Sequence, residues 1–338
     1  MTGPTRREPL ASRDPLAVRD MLPLRDIDVL VLGEINPDVI VRAADPTPSF
    51  GQVERLVDSI DLVIGSSSAI FACGVARLGL RTAFVGIVGD DPMGRFMLDA
   101  MWRRGVDVAG CRVDRTVPTG ASVILTTGAD RAILTAPGTV PLLRDDDVPE
   151  ALVGRARHLH VGSVFLLDAL RPRLAARLAA ARRAGLTTSA DCNWDPRGAW
   201  DGELWDILGE TDVFLPNAGE ATRIAGTEDV EAAARVLVAA GPRVVAVKCG
   251  ADGAIAVARD GTLTRVPSLA VDAVDTTGAG DSFDAGFVAG FLAGRPVRDC
   301  LALGVAAGSL STLGIGGTES QPTLPEAEAA ARAAGLLS

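Results

Sequence analysis

The stretch Asp275-Thr276-Thr277-Gly278-Ala279-Gly280-Asp281-Ser282-Phe283 reads as a loop that turns into a helix. Phe283, Phe287 and Phe291 recur at i, i+4 and i+8, which is one apolar stripe of a helix. Gly286, Ala289 and Gly290 let that helix approach its neighbours closely. Its first turn, from Gly278 to Asp281, offers backbone N–H groups without intrahelical acceptors, and the helix dipole there favours an anion. Glycine lets a phosphate reach the backbone without meeting a Cβ. The carboxylate of Asp281 stands in the same turn. Amides that stabilise a moving phosphoryl group, beside a carboxylate that takes the proton of an alcohol, suit phosphoryl transfer to a hydroxyl. An ordinary capped helix with an acidic first turn gives the same local pattern. A dinucleotide fingerprint fits poorly, because Phe283 holds the third glycine position, and the absence of a lysine excludes a Walker A loop.

The rest of the chain bounds the reading. Its 338 residues are 48% hydrophobic and 22% charged, enough for a large α/β core. The net charge of −10 argues against a nucleic-acid or anionic-membrane partner. Five scattered cysteines, Cys73, Cys111, Cys192, Cys249 and Cys300, form no C-x-x-C pair, so a reducing cytoplasm is the expected setting. No apolar run reaches transmembrane length. Residues 1–25, rich in Arg, Pro and Asp, read as a disordered tail.

Strands alternate with helices from Ile27 onward, which predicts a parallel sheet between two helical layers. The first strand ends at Gly33 and runs into Glu34-Ile35-Asn36-Pro37-Asp38. A polar cluster past a strand's C-terminal end is where open α/β sheets bind ligands, and Asn36 and Asp38 suit polyol hydroxyls. An Asx-type turn before Pro37 is the plainer explanation. His158 and His160 share one face of a strand, a possible metal pair without an evident third ligand. Asn217 and Glu220 fit a capping box at a helix start. Lys248, the only lysine, precedes Gly250 and Gly253 in what is also a plausible hairpin turn.

These segments together resemble the ribokinase-like (PfkB) family of small-molecule kinases. The family's second signature, D-T-x-G-A-G-D, matches Asp275 to Asp281. Its first signature region matches Gly65 to Gly79, with two departures: Ser66 replaces the second glycine, and Ile70 stands where many sugar kinases bind substrate through Asn. The resemblance implies a three-layer α/β/α sandwich with a central, mostly parallel sheet and a small β-sheet lid. The kinase domain would span 26–325, with the lid from about 36–64 and 106–137 and a C-terminal helix over 326–338.

It also implies the chemistry, an ATP-dependent kinase of a sugar or sugar-like alcohol. Asp281 is then the general base, and Gly278, Ala279 and Gly280 complete the anion hole. Asn36, Asp38, Gly65 and Ser66 hold the acceptor together with Asp281. ATP falls to Asn193, Asn217, Glu220, Lys248, Gly250, Gly253, Thr277, Gly278 and Gly280. Mg²⁺ is held, largely through water, by Asp191, Asn217 and Glu220. A monovalent cation, K⁺, is assigned to Asp275 and Thr277. In the segment Asp191-Cys192-Asn193-Trp194-Asp195, Asp195 takes the family's Arg position. A homodimer through the lid is expected, as is a small-molecule acceptor. A nucleoside kinase of the same fold is the alternative acceptor class, since Ile70, Phe71 and Trp194 leave a purine slot open. A sugar or nucleotide sensor without turnover is the non-enzymatic alternative. The helix dipole is expected to keep Asp281 ionised at neutral pH. Asp284, one turn on, is expected to be dispensable unless it too reaches the site.

Overall fold

The strand Ile27–Leu32 is apolar at nearly every position and buried on both faces, as a central strand of a parallel sheet must be. The computed structural model describes residues 25–127, 130–200 and 202–337. The tail expected over 1–25 therefore lies outside them except for Arg25, whose guanidinium donates to the carbonyls of Ala184 and Gly185.

Among the described residues, nine strands form the main sheet. From edge to edge they are Leu263–Val266, Ala254–Ala258, Val244–Lys248, Val213–Phe214, Thr187–Ala190, Ala156–Val161, Ile27–Leu32, Thr82–Val85 and Val106–Asp107. Pairing is parallel except around Ala254–Ala258, which runs antiparallel to both its neighbours. Val29 and Val31 face one apolar core, shared with the helices Ser67–Arg77, Ala279–Leu292 and Val297–Ser311. Leu30 and Leu32 face the other, shared with Arg171–Arg183, Ala218–Ala225 and Val230–Ala239. The three expected layers are thus present, with one core on each side of the sheet.

A separate four-stranded sheet has the order Ser59–Ile64, Pro37–Arg42, Ala121–Thr127, Asp130–Ala136. The expected boundary of this appendage, 106–137, needs correction at its start. Val106–Asp107 closes the edge of the main sheet with Val106 in the core, and Arg112–Asp114 pairs with Ile87–Gly89. Short alternating runs announce strands, but the choice of sheet is made by long-range pairing that alternation does not encode. The last helix is Leu324–Ala333 rather than 326–338, set by the reciprocal Thr323–Glu326 cap at its start.

Candidate active site

The polar cluster after Ile27–Leu32, Asp191 after Thr187–Ala190, Asn217 after Val213–Phe214, and Lys248 all sit at the C-terminal ends of parallel strands. That edge is where a doubly wound sheet opens a crevice. The first turn of the helix Ala279–Leu292 meets these strand ends, with Gly280 against the Lys248 side chain and Asp281 within reach of Asp191 and Lys248.

Gly278 caps that helix with φ 73°, a left-handed conformation. A Cβ there would come within 2.6 Å of Gly317 Cα and 2.9 Å of Ile70 Cγ2, so dihedral and packing both demand glycine. Asp281 is buried in the first turn. Burial, then the charge of Asp191, pushes its carboxyl up to about 7, against the pull of Lys248 and a hydrogen bond from Ser67. The expectation of a carboxylate kept ionised by the helix dipole is therefore overturned. A half-charge at a helix end counts for less than removal from water beside other acids.

Of the residues expected to hold the acceptor, Asn36 and Asp38 are buried, and Asp38 is raised to about 7, chiefly by burial. Gly65 makes room for it: a Cβ at 65 would lie 2.2 Å from Asp38 Oδ1. Ser66 adopts φ 68°, which explains why glycine suits this position. Its hydroxyl offsets the strain by capping Ala69 N (3.3 Å) and donating to Glu34 O (2.5 Å). Ile70 belongs to the apolar core. It is buried against Gly278 and Gly317 and props the anion-hole loop from behind. Phe71 is also buried, stacked on the His160 ring at 3.6 Å between centroids.

Among the residues expected to border ATP, the capping box is real. Asn217 Oδ1 accepts from Glu220 N at 2.9 Å, and Glu220 Oε2 accepts from Asn217 N at 2.8 Å. Glu220 is nonetheless buried, facing Asp191 and Cys192, and is raised to about 7 by burial and then by Asp191. Ligand atoms of Asp191, Cys192 and Glu220 lie within 4.8 Å of one another. Asp191 Oδ1 accepts from Asn193 N at 3.1 Å. Gly250 and Gly253, with φ 59° and 86°, make the turn beyond Lys248. Asp195 accepts from the amides of Arg197, Ala199 and Trp200, so it staples its own loop, while Arg197 pairs with Asp168.

Asp275 Oδ1 accepts from Thr277 N and Oδ2 from Gly316 N, both at 2.9 Å. Arg42, from the small sheet, pairs with the same carboxylate at 3.3 Å. Arg131, also from the small sheet, donates to the Thr277 hydroxyl at 3.4 Å, and its charge favours ionisation of Asp38.

Three participants, Glu34, Ser163 and Asp284, were given no role from the sequence. Glu34 accepts from Ser68 N and Oγ and from Ser163 Oγ, and Ser163 Oγ accepts from Asn193 Nδ2 at 2.6 Å. This chain ties the acceptor side to the Asp191 side. Glu34 stood in the polar cluster after the first strand, which was its only signal; Ser163 had none. Ser67, one of three helix-start serines, reaches Asp281. Asp284 was expected to be dispensable, yet it is buried and paired with Lys248 at 3.0 Å. His158 and His160 are buried and satisfied by Thr187 and Ser189, with burial lowering both to about 3.

A small-molecule kinase site on a doubly wound sheet is what this geometry defines. The profile of pfkB family carbohydrate kinases matches residues 26–324, and the chain belongs to that family. It is 35% identical over 275 residues to a fructokinase of Klebsiella pneumoniae, covering 76% of this chain and 88% of that one. It is 32% identical over 299 residues to an ATP-dependent ribose-1-phosphate kinase of Halopiger xanaduensis, covering 88% and 95%. A putative ribokinase II from E. coli, solved with ATP and Mg²⁺, superposes with a TM-score of 0.80 at 24% identity, covering 91% of this chain and 99% of that one. The protein is thus a carbohydrate kinase with a ribokinase-like fold. Among the described residues, no helix is long and apolar enough to cross a membrane.

Proposed function

We propose that this carbohydrate kinase transfers the γ-phosphoryl group of ATP to a hydroxyl of a sugar or sugar-like acceptor held beneath the small sheet. The observation that carries this is the placement of a buried carboxylate, Asp281, in the first turn of a helix, surrounded by Asp191 and Lys248 from strand ends and by Glu34 and Ser67. Asn36, Asp38, Gly65 and Ser66 bind and orient the acceptor. Asp281 takes the hydroxyl proton, and the N–H groups of Gly278, Ala279 and Gly280 stabilise the charge on the moving group. Asn193, Asn217, Glu220, Gly250, Gly253 and Thr277 border the nucleotide. Asp191 and Glu220 offer the hard oxygens that Mg²⁺ prefers, with Asn217 orienting its water. Bound there, Mg²⁺ would neutralise phosphate charge. The place considered for K⁺, Asp275 with Thr277, already holds the Arg42 guanidinium, so we expect at most a small potassium effect.

The acceptor is read more narrowly from residue 70. Because Ile70 is apolar and committed to packing, ribose is expected to be a poor acceptor. A nucleoside is the less favoured acceptor, since Ile70 and Phe71 are buried in the core and Arg223 lies over the Trp194 ring, 4.7 Å from its centroid. We place the enzyme in the cytoplasm, with all five cysteines free. The test is acceptor-dependent ADP release across neutral, acidic and phosphorylated sugars and nucleosides. No stimulation by any of them would overturn the kinase reading; rapid saturation by ribose at micromolar concentration would overturn the acceptor reading alone.

A further inference from the structure

Lys248 is the only lysine in the chain, and its Nζ is engaged by two buried carboxylates. It donates to Asp191 Oδ2 at 2.9 Å and to Asp284 Oδ2 and Oδ1 at 3.0 and 3.1 Å. The lysine side chain is 12% exposed and those of Asp191 and Asp284 are 4% and 1% exposed. Its stem runs beside the anion hole: a Cβ at Gly280 would lie 3.6 Å from both Cδ and Nζ. Three elements therefore meet at one ammonium. They are the end of strand Val244–Lys248, the residue after strand Thr187–Ala190, and the helix that carries Asp281.

Such a cluster is a poor way to gain stability. Desolvation costs several kcal/mol per buried ion, and matched apolar side chains would do as well. What it provides instead is a fixed charge in a fixed place. The groups facing Asp281 are Asp191 and Lys248 from strand ends, Glu34 and Ser67 from the acceptor side, Glu220 from the neighbouring helix, and Asp284 on its own helix. Lys248 is the one cation among them. We propose that Lys248, clasped by Asp191 and Asp284 behind Gly280, is a positioning residue for phosphoryl transfer rather than a nucleotide ligand, locking the anion-hole turn to Asp191 and setting a positive charge behind Asp281. The inference rests on the kinase reading above.

The test compares Lys248→Met and Lys248→Arg with wild type in two measurements. The first is ATP affinity by calorimetry in EDTA, which needs neither metal nor acceptor and stands whatever the acceptor screen returns. Affinity within about threefold of wild type is expected for Lys248→Met; a loss of about tenfold or more would make Lys248 a nucleotide ligand and overturn the proposal. The second is the pH profile of kcat/KM on the acceptor found by the screen. Loss of the charge should move the acid limb of Lys248→Met upward by about one pH unit, so that activity partly recovers at alkaline pH, and Lys248→Arg should restore the limb. An unmoved limb with an equal loss at every pH would overturn the proposal. Should Lys248→Met be insoluble, Lys248→Met/Asp284→Leu replaces the pair with apolar groups and is read in the same two ways.

Discussion

Asp281 works as a base only without its proton. With its carboxyl raised to about 7, that form declines as the pH falls below neutrality. The free enzyme's kcat/KM is therefore expected to drop about tenfold per pH unit below about pH 7. A profile that stays flat from about pH 5.5 to about pH 8 would remove Asp281 from the role. Asp281→Asn keeps the shape but cannot take a proton, and kcat should fall by ~10² or more while ATP affinity is held. Steady-state kinetics with calorimetry on the same sample separates the two. We read Asp38 as a ligand of the acceptor rather than of ATP. Asp38→Ala should raise the acceptor KM by roughly 10- to 100-fold, the range for a hydrogen bond to a charged group, with the KM for ATP unchanged. Equal shifts in both KM values would mean that Asp38 supports the whole crevice rather than one ligand.

At the scale of elements, the small sheet has its faces reversed relative to an ordinary exposed sheet. Leu62, Val39, Val123 and Leu134 pair across it in one row, and Ile60, Val41, Leu125 and Ala132 in the next, all on one face. Ile60 and Leu134 are 65% and 64% exposed, while Asp38 and Ser122 on the other face are buried. An apolar sheet face of this extent needs a cover. A second copy of the sheet is the cover we expect, giving a homodimer through the lid. Leu62→Glu/Leu134→Glu should shift light scattering from dimer to monomer; a wild type that is already monomeric at micromolar concentration would refute the pairing. The same sheet reaches the anion-hole loop through Arg42 and Asp275. Arg42→Ala should therefore lower kcat/KM for the acceptor several-fold with little change in thermal stability, as measured by kinetics and calorimetric melting.

Over the whole molecule, the site stores acid where the fold excludes water. Asp38, Glu220 and Asp281 are each raised to about 7, mainly by burial. Such groups hold protons in the folded state that the unfolded chain releases near pH 4. Their contribution to stability is complete below that pH and is lost as the pH rises through about 7. The ligand-free protein should therefore melt higher at pH 6 than at pH 8: each of the three carboxyls contributes on the order of 1 kcal/mol, partly offset by His158 and His160, which burial holds neutral and which favour the higher pH. Melting curves across that interval check the sign, and a melting temperature that rises toward pH 8 would contradict it.

The order of strands and helices, the capped helix starts, and the loop from Asp275 to Asp281 were legible in the sequence because each depends on residues close along the chain. Hydrophobic period, glycine placement and cap chemistry act over a few residues, so Gly278, Asn217 with Glu220, and the buried strand Ile27–Leu32 declare themselves locally. Which sheet received Val106–Asp107 did not, because pairing partners lie far away in sequence. Nor did the direction of Ile70, which packs on a glycine 247 positions further along the chain. The charge state of Asp281 was misread for the same reason. A helix dipole is visible in one turn, whereas burial and the approach of Asp191 and Lys248 exist only when two strand ends and a helix meet. Tertiary structure alone set the electrostatics of the site, since removal from water is a property of the assembled fold and of no single segment.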